Sequence, residues 1–463
     1  MKKDLVVIGG GSGGYVAAIR AAQLGLDVLL VEKDSVLGGT CLNRGCIPTK
    51  ALLHAASLLG EIKRAGVFGI EVPKASLDMG KLQEWKGKVV NRLVQGVRFL
   101  LEQNGVQVVQ GEAGFASRDT VRIAGPDMEV EFRWAIIATG SVPKELPGFP
   151  FDGERILSSR EALELRALPE ELLVIGGGYI GLELATFFAK AGSRVTVVEV
   201  MEQVLPGVDP ELVRFVVRRL KALGVKILTG CKARDPRRIQ GGLAVEVEGQ
   251  GTEGTLEVEK VLVCVGRRPY TEGLGLDVLG LETDRRGFIP VGEDCRTEVP
   301  GILAVGDVAG EPMLAHKAHF QGKVAAAVAA GREPPPHWRA MPAAVFTDPE
   351  IAVAGLSESE AREQGHEVVV GRFPFTASGR AVTLEEAQGL VKVIGDKDTG
   401  KLLGVGIAGP WASELVGEAS LAISQGLTLE EFAAAIRPHP TLSETLMEAA
   451  EAALGQAIHA LNR

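Results

Sequence analysis

Cys41 and Cys46 are the residues of this 463-residue chain with the clearest capacity for chemistry. They stand in the run Gly38-Gly39-Thr40-Cys41-Leu42-Asn43-Arg44-Gly45-Cys46-Ile47-Pro48-Thr49-Lys50. Cysteines this close suit either half a metal site or a pair that cycles between dithiol and disulfide. A structural zinc needs four ligands, and no second Cys/His pair stands nearby at ligand spacing. The chain has 5 cysteines, an odd number that excludes a fully paired disulfide framework. Cys264 lies in the apolar run Val261-Leu262-Val263-Cys264-Val265 and is read as a small core residue. Cys231 and Cys295 have no partner at a telling spacing and are read as structural. A redox pair also needs an electron acceptor, and the residues upstream suggest one.

Gly9-Gly10-Gly11-Ser12-Gly13-Gly14 follows an apolar strand, Asp4 to Ile8, and opens an alanine-rich helix. A second strand, Val28 to Val31, ends at Glu32. The pattern recurs: strand Leu172 to Ile175, Gly176-Gly177-Gly178-Tyr179-Ile180-Gly181, a helix, then strand Val195 to Val198 ending at Glu199. In both copies 23 positions separate the first glycine from the glutamate. One such loop is weak evidence, but two in the same register point to two dinucleotide-binding units. Gly9 and Gly176 permit the tight turn, Gly11 and Gly178 let a pyrophosphate approach, and Gly14 and Gly181 allow close helix–strand packing. The helix N-terminus faces the phosphate charge, and the carboxylate accepts ribose hydroxyls. At Glu199 such a carboxylate favours NAD over NADP, since Val200-Met201-Glu202 brings no cation for a 2′-phosphate.

These elements belong to a chain long enough for two to four domains. Composition is globular, with 46% hydrophobic and 24% charged residues, and the net charge of −9 gives no reason to expect nucleic acid. No apolar run approaches the roughly 18–20 residues of a membrane span, and Met1-Lys2-Lys3-Asp4 enters a strand directly, so neither membrane anchor nor leader is expected. Ser141 to Gly153 is proline-rich and reads as a hinge, and Pro334-Pro335-Pro336 marks a second boundary. Beyond it come alternating strands such as Leu390 to Ile394, then helices over Glu414–Gln425 and Ser443–Ala460. That region is an α+β unit without a nucleotide loop.

The segment 38–50 closely resembles the active-site run of the flavin-dependent pyridine nucleotide-disulfide oxidoreductases. Further stretches resemble that family in the same order along the chain. They are Ile136-Ile137-Ala138-Thr139-Gly140-Ser141, Val265-Gly266-Arg267-Arg268-Pro269 and Pro300-Gly301-Ile302-Leu303-Ala304-Val305-Gly306-Asp307. Pro312-Met313-Leu314-Ala315-His316-Lys317-Ala318 and His439-Pro440-Thr441-Leu442-Ser443-Glu444 complete the set. Leu42-Asn43, Ile47-Pro48 and the 312–318 run are similar to the members that oxidise dihydrolipoamide. Three places depart from the common pattern: Tyr270, His319-Phe320-Gln321-Gly322, and Asp348.

The resemblance implies an α/β fold with two Rossmann-like dinucleotide-binding domains, for FAD and NAD, plus a C-terminal α+β dimerisation domain. The expected division is 1–145 and 269–337 for FAD, 146–268 for NAD, and 338–463 for dimerisation. It implies that Cys41 and Cys46 form a redox disulfide, Cys41 exchanging with substrate and Cys46 lying against the flavin. His439 would be the acid–base group, oriented by Glu444 and supplied by the partner of a homodimer. Lys50, one helical turn after Cys46, and Glu183 would flank the flavin. Gly9, Gly11, Gly13, Gly14, Glu32, Lys33, Gly39, Thr40, Ala113, Thr139, Gly140, Ser141 and Asp307 would contact FAD, as would Met313, Leu314, Ala315 and His316. Gly176, Gly178, Tyr179, Ile180, Gly181, Glu199, Ala233 and Gly266 would contact NAD. No metal is expected. The implied activity is oxidation of dihydrolipoyl groups with reduction of NAD⁺, in the cytoplasm. The partners implied are the lipoyl domain and core acyltransferase of a 2-oxo acid dehydrogenase complex. A glutathione- or mercuric-reductase-like activity is the alternative, and a non-catalytic subunit a more distant one.

Overall fold

Strand β1 (Lys2–Ile8), helix α1 (Ser12–Gln23) and strand β2 (Val28–Glu32) form the first nucleotide unit of the computed structural model, which describes residues 1–462. Leu5 to Ile8 and Val28 to Val31 are buried throughout, the continuous apolar pattern of parallel strands covered on both faces. Next come α2 (Gly39–Arg44), α3 (Cys46–Arg64), α4 (Met79–Gln103), β3 (Gln107–Gln110), β4 (Glu112–Phe115), β5 (Thr120–Ala124) and β6 (Met128–Ile137). The strands order as β3-β2-β1-β6-β5-β4, with β1 parallel to both β2 and β6.

The second unit contains β7 (Ser141–Pro143), β8 (Ile156–Leu157), α5 (Ser159–Ala162), β9 (Glu171–Ile175), α6 (Tyr179–Ala191), β10 (Arg194–Val198), α7 (Pro210–Ala222) and β11 (Lys226–Leu228). A meander of β12 (Lys232–Ile239), β13 (Gly242–Gly249) and β14 (Thr252–Val258) precedes β15 (Lys260–Val263), which completes the sheet β11-β10-β9-β15-β8. The 141–153 stretch read as a hinge is partly structured. Its first residues form β7, which pairs antiparallel with β16 (Arg267–Pro269), so the two crossings between units are hydrogen-bonded to each other. After α8 (Leu276–Leu279), strand β17 (Ile302–Ala304) returns to β6 of the first sheet, and α9 (Ala315–Ala329) packs along α1.

The remaining sheet, β18-β19-β22-β21-β20, is built from β18 (Ala343–Val345), β19 (Glu350–Gly355), β20 (Val368–Pro374), β21 (Leu390–Asp396) and β22 (Leu402–Gly409). Short helices α10 (Glu358–Glu363) and α11 (Gly379–Thr383) interrupt it, and α12 (Ala412–Gln425), α13 (Leu429–Ala434) and α14 (Glu444–Ala453) cover it. The helix expected over Ser443–Ala460 is therefore shorter than its apolar pattern suggested. Gly455 adopts φ +73°, a conformation glycine takes without penalty, and the Gln456 N–H closes the helix end on Glu451 O at 2.8 Å. The tail then folds back, placing His459 Nδ1 at 2.5 Å from Glu448 Oε1. Among the described residues no helix is long and apolar enough to cross a membrane.

One buried cluster spans the units. Leu52 and Ala56 of α3, Leu182 and Phe188 of α6, Leu212 of α7 and Ile351 of β19 lie in a single buried cluster. An ionic network reinforces it. Lys392 of β21, only 3% exposed, donates to Asp209 at 2.6 Å and Glu211 at 2.7 Å and pairs with Glu358 at 2.8 Å. Hydrogen bonding from Arg372 first, then from Lys392, outweighs burial and holds the Glu211 carboxyl at about 2. That value lies below the ordinary carboxylate range, so the stabilisation is complete above pH about 4.5 and is lost as pH falls towards 2. A Glu211→Gln protein should melt about 1–3 °C lower than the parent at pH 7, a modest change because solvent screens this carboxylate. The gap should narrow steadily on acidification from pH 4.5 towards 2, measured by calorimetry. A gap that widens there would contradict the assignment.

Candidate redox site

Cys41 and Cys46 are joined as a disulfide, with their Cα atoms 4.7 Å apart. Cys41 lies on α2, and the chain breaks at Gly45 so that Cys46 becomes the first residue of α3. That 19-residue helix has no side-chain cap, so its free N–H groups and positive dipole end favour negative charge on a reduced Cys46. Asn43 Nδ2 fixes α2 by donating to Leu37 O at 2.9 Å and Gly39 O at 3.0 Å. The other thiols are unsuited to exchange: burial pushes those of Cys264 and Cys295 up to about 12, and Cys231 is buried.

Lys50 follows Cys46 by one turn of α3, and its Nζ donates to Glu183 Oε2 of α6 at 2.6 Å. The two residues are 133 positions apart, and the carboxylate is nearly enclosed, with 5% of its side chain exposed.

The two glycine loops are built alike. Gly9 at φ +103° turns beneath Ala138, where a Cβ would come within 2.5 Å of the carbonyl oxygen; Gly176 at φ +105° does the same beneath Cys264 at 2.4 Å. Their acidic partners also match. Glu32 accepts from Gly10 N at 2.7 Å and Asp34 N at 2.9 Å, and Glu199 accepts from Gly177 N at 2.6 Å and Met201 N at 2.8 Å. Burial raises the Glu32 carboxyl, opposed by the Gly10 N–H, Arg44 and Lys33. The middle glycines face open space: a Cβ on Gly178 would meet nothing within 4 Å, and one on Gly11 only Gly39 Cα at 3.7 Å. Neither α1 nor α6 has a side-chain cap or an acidic residue in its first turn. Uncapped N–H groups beside open cradles fit two pyrophosphates.

The remaining expected cofactor contacts fall around the first cradle or on the second unit. Ser141 Oγ donates to Asp307 Oδ2 at 2.5 Å, and Arg267 binds Ser141 through Nε at 2.7 Å to Oγ and Nη2 at 2.6 Å to O. Thr139 Oγ1 donates to Tyr270 O at 2.6 Å, and the Tyr270 N–H donates to Gly140 O at 3.0 Å. The ammonium of Lys33 lies 3.6 Å from the centroid of the Tyr270 ring. Met313 and Leu314 lead into α9, whose first turn, Ala315 and His316, is uncapped; the His316 ring is hydrogen-bonded to Pro342 O at 2.7 Å. Gly13 lies on α1, Gly39 and Thr40 on α2, Ala113 on β4, Ile180 on α6, Ala233 on β12 and Gly266 just before β16.

His439 and Glu444 stand apart from this network. His439 Nδ1 is 2.9 Å from Glu444 Oε1, and Glu444 Oε2 accepts the Thr441 N–H at 2.7 Å. Burial raises the Glu444 carboxyl, but the Thr441 N–H and His439 outweigh it and hold it below the ordinary carboxylate range. The imidazole is 81% exposed at the surface of the C-terminal unit. Within one protomer, no hydrogen bond or ion pair joins it to Cys41, Cys46, Lys50 or Glu183 among the described residues.

Residues 3–322 match the family described as pyridine nucleotide-disulphide oxidoreductase, and residues 341–450 match its dimerisation domain. The chain belongs to the pyridine nucleotide-disulphide oxidoreductases. FAD and NAD are the cofactors of such an enzyme, and the two cradles fit two dinucleotides. The chain is 50% identical to dihydrolipoyl dehydrogenase 2 of Haloarcula marismortui, covering 98% of each protein. It is 50% identical to the dihydrolipoyl dehydrogenase of Thermus scotoductus, covering 99% of each. With that of Geobacillus stearothermophilus the identity is 45%, over 100% of this chain and 98% of the relative. The crystal structure of LpdA from Mycobacterium tuberculosis superposes with a TM-score of 0.90 at 29% identity, covering 97% of this chain and 99% of that one.

In this oxidoreductase the three departures from the common sequence pattern each have a partner. Asp348 takes ion pairs from Lys190 at 2.8 Å and Arg219 at 3.0 Å. His319 Nε2 lies 3.2 Å from the Tyr15 hydroxyl, and Gln321 Oε1 accepts the Gly306 N–H at 2.9 Å beside Asp307. Tyr270 carries Lys33. Sequence reading quoted Arg267 within a motif but gave it no role; its charge beside a buried turn was the available signal. The Phe346 N–H donates to Glu183 Oε1 at 2.9 Å, a contact made by backbone that no residue type in the sequence reveals.

Proposed function

We propose that this oxidoreductase is a dihydrolipoyl dehydrogenase, oxidising protein-bound dihydrolipoyl groups and reducing NAD⁺. The Cys41–Cys46 disulfide, held at the N-terminus of α3 beside Lys50, is the observation that carries the reading. Relatives of that name, 45–50% identical over nearly the whole chain, support it.

Residues 1–145 and 269–337 would hold FAD, with Glu32 and Lys33 for its adenosine, the 9–14 loop for its pyrophosphate, and Asp307 and 313–316 for the flavin end. Residues 146–268 would hold NAD, with Glu199 for its ribose, and 338–463 would pair with a second copy. When bound, FAD accepts the electron pair of the dithiol and NAD⁺ carries it away as hydride. The protein residues do the sulfur and proton chemistry. His439 takes a proton from one lipoyl thiol, and the thiolate attacks Cys41 Sγ. The Cys41–Cys46 bond breaks and Cys46 leaves as a thiolate, favoured by the helix N-terminus and Lys50. The second lipoyl thiol then attacks the first sulfur; the bond from that sulfur to Cys41 breaks, the oxidised ring leaves, and Cys41 departs as a thiol carrying the proton the second lipoyl thiol gives up, while His439 keeps the first. The lipoyl domain and core acyltransferase of a 2-oxo acid dehydrogenase complex are the partners this substrate implies, in the cytoplasm. The carboxylate at Glu199 favours NAD and so opposes an NADPH-dependent glutathione reductase.

Anaerobic titration with dihydrolipoamide should produce a long-wavelength thiolate-to-flavin absorbance, and added NAD⁺ should then yield one NADH per dithiol. No reduction by dihydrolipoamide, with rapid reduction by NADPH, would overturn the reading.

A further inference from the structure

We infer that Phe346 is a positioning residue for the redox centre: its backbone N–H and its ring together fix the Glu183–Lys50 pair beside Cys46. The inference rests on the reading of Cys46 as the thiolate that faces the flavin.

Both oxygens of the Glu183 carboxylate are engaged. Lys50 Nζ donates to Oε2 at 2.6 Å, and the Phe346 N–H donates to Oε1 at 2.9 Å. Lys50 Nζ also lies 4.2 Å from the centroid of the Phe346 ring, well inside the range of a cation–π contact. Phe346 therefore holds Lys50 twice, directly through its ring and indirectly through Glu183. The three residues come from α3, α6 and the segment that follows β18, so this contact ties the C-terminal sheet to the disulfide.

The segment that carries Phe346 is itself anchored. Phe346 packs against the core shared by α3, α6 and α7. Two residues on, Asp348 pairs with Lys190 of α6 at 2.8 Å and Arg219 of α7 at 3.0 Å. Those two cations outweigh burial and keep the Asp348 carboxyl below its ordinary range. Glu350 is a further carboxylate within electrostatic reach of Lys50; burial raises it, and it accepts the Ser413 N–H at 3.0 Å. Its bond to Ser413 leaves Glu183 and the ring as the groups that hold the ammonium in place.

A lysine ammonium on a four-carbon stem samples many rotamers unless it is held. Without the ring it spends less time beside Cys46, and the thiolate loses part of its stabilisation. A cation–π contact of this kind corresponds to roughly a two- to fivefold effect on that equilibrium. The test uses the FAD-loaded dimer reduced by two electrons, following the long-wavelength thiolate absorbance as pH is lowered. Phe346→Leu should raise the pH of half-loss by about 0.3–0.7 unit, and Phe346→Trp, a stronger π face, should lower it. In a Lys50→Met background, Phe346→Leu should add no further shift. An unmoved Phe346→Leu profile, or an equal shift in the Lys50→Met background, would overturn the inference. Should Phe346→Leu fail to retain FAD, the Phe346→Trp profile decides, and no downward shift there overturns it as well. A wild-type protein with no such absorbance would instead overturn the reading of Cys46, and this inference with it.

Discussion

Replacing Cys46 with serine should leave a folded, FAD-binding dimer whose dihydrolipoamide-dependent NADH formation falls by roughly 10⁴-fold or more. Serine keeps the shape of cysteine with a smaller terminal atom, so the α2–α3 break at Gly45 and the packing of α3 against α6 survive. What disappears is the leaving group. Attack on Cys41 requires a sulfur–sulfur bond to break, and a hydroxyl cannot take the place of the thiolate that departs. The paired Cys41→Ser protein distinguishes the two sulfurs. It keeps a thiol at the N-terminus of α3, where the helix dipole and Lys50 favour the thiolate, so its long-wavelength absorbance should be present without any reductant. Cys46→Ser should lack that absorbance under every condition. Both proteins should melt within a few degrees of the parent without its disulfide, which shows that lost activity is lost chemistry. The reverse spectroscopic pattern would exchange the roles of Cys41 and Cys46.

The features visible in the sequence are those whose partners lie close along the chain. The cysteine pair, both glycine loops with their glutamates, and the His439–Glu444 pair are local patterns, and each is found in one structural unit. Contacts between distant segments left no such trace. Lys50 and Glu183 are 133 positions apart, and only the resemblance paired them. Arg267 lies 126 positions from Ser141, and Ser141 lies 166 from Asp307; the three meet because β7 and β16 pair and β17 returns to β6. The break that makes Cys46 the first residue of a helix lies in the backbone at Gly45, with no local signal stronger than the glycine itself. The opposite error occurred at the C-terminus. There an apolar helical period was followed past Gly455, although a glycine at a helix end is a stop signal. Asp348 read as a deviation when taken alone, and it became intelligible once Lys190 and Arg219 were seen to converge on it.

A His439→Gln protein should turn over roughly 10³-fold more slowly with its FAD affinity unchanged, the scale of a lost acid–base group. Glu444 holds the ring by its Nδ1 edge, the geometry that leaves an Nε2 lone pair to accept a thiol proton. That nitrogen faces outward on a side chain that is 81% exposed, far too open for a base that must exclude water from its reaction. We propose that a second copy covers this surface and completes the site, a reading that the match to a dimerisation domain over 341–450 supports. The arrangement can be tested with two inactive parents. A heterodimer of one Cys41→Ser subunit and one His439→Gln subunit contains one centre with both lesions and one with neither, if each centre takes its histidine from the opposite chain. Isolated by two affinity tags, that heterodimer should recover about half of the wild-type rate per dimer. If each centre were built from a single chain, both centres of the heterodimer would carry a lesion and the rate would stay at the level of the parents. Recovery should also keep the wild-type dependence on pH, because the surviving centre contains an intact His439–Glu444 pair. A heterodimer no faster than its parents would mean that each centre draws its histidine from its own chain, and the cross-subunit arrangement would fall.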